Sequence, residues 1–120
     1  MQINKVELRN LEIEDYIELK NSMLQAYEEG VEDPYWKKEE IRRLLKVFPE
    51  GQIVIVVDDV VVGAALSLIV DENLALSNHK YNDIVTDSKF KAHNPEGDVL
   101  YGIDIFIHPN YRGLRLGRRV

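Results

Sequence analysis

Arg112-Gly113-Leu114-Arg115-Leu116-Gly117-Arg118-Arg119-Val120 combine glycines with arginines and no acid, directly behind the apolar run Leu100 to Ile107 and the pair His108-Pro109. Glycines let main-chain N–H groups approach a ligand without obstruction from side chains. A helix starting near Leu116 would add its unpaired first N–H groups and the positive end of its dipole. The chemistry this predicts is capture of a phosphate by backbone amides, with guanidinium groups beside them.

The rest of the chain must supply what stands around that turn. Its 120 residues fit one domain, and 45% hydrophobic with 30% charged residues is the composition of a globular fold rather than a disordered one. Cysteine is absent, which excludes disulfides, zinc–thiolate sites and thiol nucleophiles and fits a cytoplasmic setting. His79, His93 and His108 are too widely spaced for a metal motif, so no metal is expected. The formal net charge of −6 argues against nucleic acid as a partner and permits a cationic small molecule. The arginines of the tail therefore form a local positive patch, suited to one phosphorylated ligand. The longest nearly apolar run, Val60 to Val70, falls well short of the roughly 20 residues that span a bilayer, and no apolar signal core follows Met1. No membrane association is expected.

Periodicity divides the chain into elements. Alternation over residues 2–9 predicts a short strand with one buried face. Tyr16, Leu19, Met23 and Tyr27, with Ile17 and Leu24 beside them, predict a helix over 14–28 that ends near Gly30. A second helix is expected from Asp33-Pro34, with Ile41, Leu44, Leu45 and Phe48 as its apolar stripe. Gln52 to Val57 and Val60 to Val70 read as strands joined by a two-residue Asp58-Asp59 hairpin. Residues 71–97 form a long connection with one short helical turn around 81–85, and long loops of this kind are often functional. A strand over 99–107 follows, then the glycine turn.

The order β-α-α-β-β-loop-β-turn resembles the N-terminal part of the Gcn5-related N-acetyltransferases. That family marks its pyrophosphate loop with Q/R-x-x-G-x-G/A behind a strand that ends in apolar-x-Pro. Here Ile107-His108-Pro109 is followed by Arg112 and Gly117 at the outer motif positions, with Arg115 where the family has its first motif glycine. A Cβ at a turn position that needs positive φ costs about 1–2 kcal/mol, whereas a guanidinium could pair with the pyrophosphate. The fold this resemblance implies is α/β (α+β), with a mixed, mostly antiparallel sheet in the order β1-α1-α2-β2-β3-β4 and the start of a third helix. The His-Pro-x-Tyr-Arg-Gly-Leu-x-Leu-Gly context further resembles acetyltransferase domains fused to a carbon–nitrogen hydrolase domain.

The resemblance implies transfer of an acetyl group from acetyl-coenzyme A to a small-molecule or peptide amine. Backbone N–H groups of Gly113, Leu114, Arg115, Leu116, Gly117 and Arg118, with Arg112, would hold the pyrophosphate. The Ile105, Phe106 and Ile107 backbone would pair with pantetheine. Asp104, an acid inside an apolar strand, would take the proton of the amine or bind its ammonium form. Strand alternation places Asp104 beside Gly102 and Phe106, opposite Ile103 and Ile105; the competing reading is an acid on a solvent face. Glu96 and Asp98 at the mouth of that strand would bind a cationic amine or simply end the loop. Tyr35 and Trp36 would border the acceptor cleft or anchor the second helix. The family's remaining helices and strands lie beyond Val120, so an incomplete domain of low activity, prone to dimerise through an open edge, is expected. The reading from another class is a non-catalytic module that senses coenzyme A or docks a partner domain.

Overall fold

The computed structural model describes residues 3–26, 36–78, 80–86 and 88–111. The first strand, β1 (Val6–Asn10), starts later than alternation suggests. The N–H groups of Asn4 and Lys5 are taken by the Asp58 carboxylate, at 3.1 and 2.9 Å, so the chain there crosses the tip of a hairpin instead of joining the ladder. A single turn of 3-10 helix, Ile13–Asp15, then leads into α1 (Tyr16–Ala26). The Arg9 guanidinium forks onto both Asp15 oxygens, at 2.7 and 2.8 Å, and ties β1 to this entry.

Tyr16, Leu19 and Met23 of α1 are buried as their spacing requires, but Ile17 is 81% exposed and stands off the stripe. Tyr27 and Gly30, placed at the end of this helix by periodicity, lie outside the described residues, as do Asp33, Pro34 and Tyr35. The second helix, α2 (Lys38–Val47), begins later than an Asp33-Pro34 start. Its entry is fixed at Lys37, whose N–H donates to Glu40 Oε1 at 2.8 Å, so a side chain three residues inside the helix satisfies the backbone donor at the helix start. Ile41 and Leu44 point into the core, and Leu45 and Phe48 pack at its border.

Among the described residues four strands follow one another in an antiparallel sheet of order β1-β2-β3-β4, with β2 (Ile53–Val57), β3 (Val60–Val70) and β4 (Val99–Ile107). Asp58 and Asp59 make the β2–β3 turn with positive φ at both positions, 47° and 68°, the conformation that matches the twist of a two-residue hairpin. Between β3 and β4 the chain forms α4 (Tyr81–Val85) as expected, and also α3 (Glu72–Leu76), where only loop is legible in the sequence.

Both long helices cover one face of the sheet. Leu19, Met23, Ile41 and Leu44 meet Val54, Leu66, Leu68 and Phe106 in the main core. The opposite face holds a smaller cluster of Ile55, Val57 and Val62, with Leu100 and Ile105 left 67% and 56% exposed. β3 and β4 approach so closely that a Cβ on Gly63 would lie 2.4 Å from the Phe106 carbonyl oxygen, which makes glycine obligatory there. No helix among the described residues is long and apolar enough to cross a membrane.

Candidate functional site

β4 is the last strand of the sheet among the described residues and carries the candidate acid. Its pairing with β3 is regular from Gly63↔Ile107 to Leu66↔Asp104, then jumps to Ser67↔Gly102. Ile103 is thus an extra residue, a β-bulge that re-aims the side chains on either side of it. The bulge corrects the alternation expected from sequence: Ile103 is buried in the main core with Phe106, and Gly102 turns to the open face with Ile105. Asp104 pairs with buried Leu66 and stands on the helix-covered face, half-buried, so the solvent-face reading does not hold.

The Asp104 carboxylate is engaged from the helical layer. Trp36 Nε1–H donates to its Oδ2 at 2.8 Å. Trp36 is buried between the two long helices and β4, and its own carbonyl accepts the Tyr16 hydroxyl at 2.7 Å. Burial pushes the Tyr16 phenol above its usual value, and the Glu40 charge adds to the effect, so this hydroxyl remains a donor. Trp36 therefore both anchors the helical layer and contacts the strand acid. Sequence reasoning had the first role and missed the bond. The signal for it was a buried indole N–H in need of an acceptor, but the partner lies 68 residues away.

Beside the bulge, on the open face, lies a depression of about 570 Å³ lined by Gly51, Ile53, Ala65, Leu100, Gly102 and Ile105, with Ser67 and Asp104 at its border. Ile105 faces this depression, Phe106 is buried in the main core and Ile107 packs on the smaller cluster. The edge strand thus offers an apolar wall on one face and a carboxylate on the other. The residues of the glycine–arginine turn, Arg112, Gly113, Leu114, Arg115, Leu116, Gly117 and Arg118, lie outside the described residues. What leads to them is described: His108 N–H donates to the Val62 carbonyl at 2.7 Å, and one 3-10 turn, Pro109–Tyr111, carries the chain off the sheet.

Glu96 and Asp98 lie together at the other end of β4, in a polar depression shared with Asp71 and Glu72. Asp98 Oδ1 accepts the Glu72 N–H at 2.9 Å, and Glu96 N–H donates to Asn94 Oδ1 at 3.0 Å. Asp98 is six positions from Asp104, about 20 Å along a strand that rises roughly 3.3 Å per residue. The two groups do not converge on one small amine.

His93 Nδ1 accepts the Ile69 N–H at 3.1 Å and its ring stacks on Phe48. His108 Nδ1 accepts the Asn110 N–H at 3.1 Å. Both imidazoles serve the backbone, while His79 lies outside the described residues. Among the described residues no group of three or more His, Asp or Glu side chains is arranged to hold a metal ion.

Comparison with known proteins gives a consistent result. The profile of the Acetyltransferase (GNAT) family matches residues 7–120. Probable hydrolase YhcX of Bacillus subtilis is 31% identical over 116 residues, 97% of this chain but 22% of that protein. Uncharacterized N-acetyltransferase YkwB of the same organism is 29% identical over 83 residues, 69% of this chain and 37% of that protein. Among solved structures, the loading GNATL domain of CurA from Lyngbya majuscula superposes with a TM-score of 0.75 at 27% identity, covering 97% of this chain and 54% of that one. The GphF GNAT-like decarboxylase in complex with isobutyryl-CoA gives a TM-score of 0.75 at 18% identity over 94% of this chain and 54% of that one, a likeness of fold. The chain thus spans between a fifth and two fifths of the length of these curated relatives.

Proposed function

The chain belongs to the acetyltransferase (GNAT) family, and from that premise we propose that it transfers an acetyl group from acetyl-coenzyme A to an amine, with Asp104 as the catalytic base. The carrying observation is the Asp104 carboxylate on the helix-side face of a bulged edge strand, inside a sequence that matches the family from residue 7 onward. An acyl-coenzyme A donor is supported by the fold relative that holds isobutyryl-CoA. The Ile105 to Ile107 backbone would run along the pantetheine arm. Arg112 and the N–H groups of Gly113 to Arg118 would take the pyrophosphate. Glu96 and Asp98, at the far end of β4, would serve an acceptor long enough to carry a second cationic group.

The neutral amine attacks the thioester carbonyl carbon. As the C–N bond forms, Asp104 accepts the amine proton directly or through one water, and a β4 N–H stabilises the oxyanion. The C–S bond then breaks, and the thiolate leaves and takes up a proton. Firm capture of the distant phosphates would hold thioester and amine in line, the source of much of the rate.

The test is an acetylation assay on a panel of amines. We expect Asp104→Asn to lower kcat by about 10²-fold, the usual contribution of a positioned base, with KM for acetyl-coenzyme A little changed. Equal rates for the two proteins would overturn the assignment.

Arg115 in place of the motif glycine favours a second reading, a non-catalytic module. Calorimetric binding of acetyl-coenzyme A without turnover of any amine would mark a sensor. Absence of binding would mark a docking module, whose partner would be a hydrolase domain, given the likeness to YhcX, or a second copy of this chain against the open sheet face. A cytoplasmic location, suggested by the cysteine-free composition, belongs to the same proposal.

A further inference from the structure

We propose that Trp36 is the positioning residue for Asp104: its indole N–H sets the direction of the carboxylate, and a strained turn behind it keeps the indole in place. This rests on the reading of Asp104 as base. An aspartate on a strand has several rotamers, and a charge-assisted bond of 2.8 Å from a rigid ring selects among them. A ring that is itself free to move would select nothing. Trp36 is 3% exposed, its carbonyl is held by Tyr16, and its ring lies 6.0 Å from that of Phe90.

Phe90 is the unusual part. It is 1% exposed yet has φ of 55°, and Thr86 and Ser88 just before it have φ of 49° and 60°. Non-glycine residues in the left-handed region are strained and persist only where their surroundings over-determine them. Here they do. Arg43 Nη1 donates to the Ser88 carbonyl at 2.8 Å, the Ser88 hydroxyl bonds Glu40, and Thr86 Oγ1 accepts the Lys91 N–H at 2.9 Å. The turn is clamped to α2 and presses Phe90 behind the indole. A filler for the core needs only bulk at position 36; the donor nitrogen is what Asp104 uses.

Trp36 is the chain's single tryptophan, which makes the test clean. In nitrogen-labelled full chain the indole gives one N–H resonance. We expect Asp104→Asn to move that proton upfield and to speed its exchange with solvent. Trp36→Phe is the direct variant for kinetics. Where it fails to fold, a tryptophan analogue with sulfur in place of the ring nitrogen keeps the shape and removes the donor. In either protein kcat should fall about tenfold, the weight of one lost charge-assisted hydrogen bond, while KM for acetyl-coenzyme A stays unchanged. An indole signal indifferent to Asp104→Asn, or an analogue protein with kcat within about twofold of the parent, overturns the positioning role and leaves Asp104 as base untouched. Equal acetylation by the parent and Asp104→Asn overturns the base, and the positioning role with it, even where the indole signal responds.

Discussion

His93 accepts the Ile69 N–H through Nδ1, which it can do only while that nitrogen is unprotonated. Burial against Phe48 depresses its pKa below the ordinary 6.5, and the Glu50 charge opposes this without reversing it. Because the unfolded chain binds the proton more readily, this residue's contribution is fully present above about pH 6.5 and is lost as pH falls from there through the folded value. Urea midpoints should therefore decline between pH 7 and pH 5.5, and His93→Asn, which can still accept the Ile69 N–H, should flatten that slope. Asp15 is shifted in the same direction for the opposite reason: the bond from Arg9 favours its charged form and is the main cause that holds its carboxyl below the usual value, so it remains an anion in moderately acidic solution and its contribution too is lost as pH falls. At Asp104 the bulge decides which face of the sheet the carboxylate takes.

At the scale of elements, the β2–β3 ladder is completed by a side chain. The buried Gln52 amide donates to the Ser67 carbonyl at 2.8 Å and accepts the Ser67 N–H at 2.9 Å, just past the last main-chain pair, Ile53↔Ala65. It also reaches the Phe48 carbonyl, so one amide joins α2's exit, β2 and β3 beside the β4 bulge. Gln52→Leu would leave the buried Ser67 N–H and carbonyl without these partners. We expect a loss of about 2–4 kcal/mol in denaturant titrations. The sequence made β2, β3, β4 and α4 legible because β-branched runs, a two-residue turn and a periodic stripe are local signals. It hid the bulge at Ile103, since an extra residue leaves no mark in a run of apolar side chains. It hid α3 for a related reason, because five residues held partly by Asp98 from across the chain carry no periodicity of their own. Asp104 was identifiable as the acid of its strand; its bond to Trp36 needed the third dimension.

Across the whole molecule, polarity and coverage are uneven. Among the described residues one face of the sheet is covered by two long helices and the other leaves Leu100 and Ile105 exposed, and a net charge of −6 coexists with a terminal run of arginines. The pin between Asp58 and the chain at Asn4 spans 54 positions. Closing so long a loop is entropically costly, whereas β2 and β3 meet across two residues. The hairpin should consequently assemble early, with β1 annealing to its flank after the rate-limiting barrier, guided by a carboxylate that awaits two main-chain amides. In stopped-flow chevrons, Val61→Ala should slow refolding, whereas Val6→Ala should mainly hasten unfolding. A single aspartate at a turn would then serve as the latch that closes last.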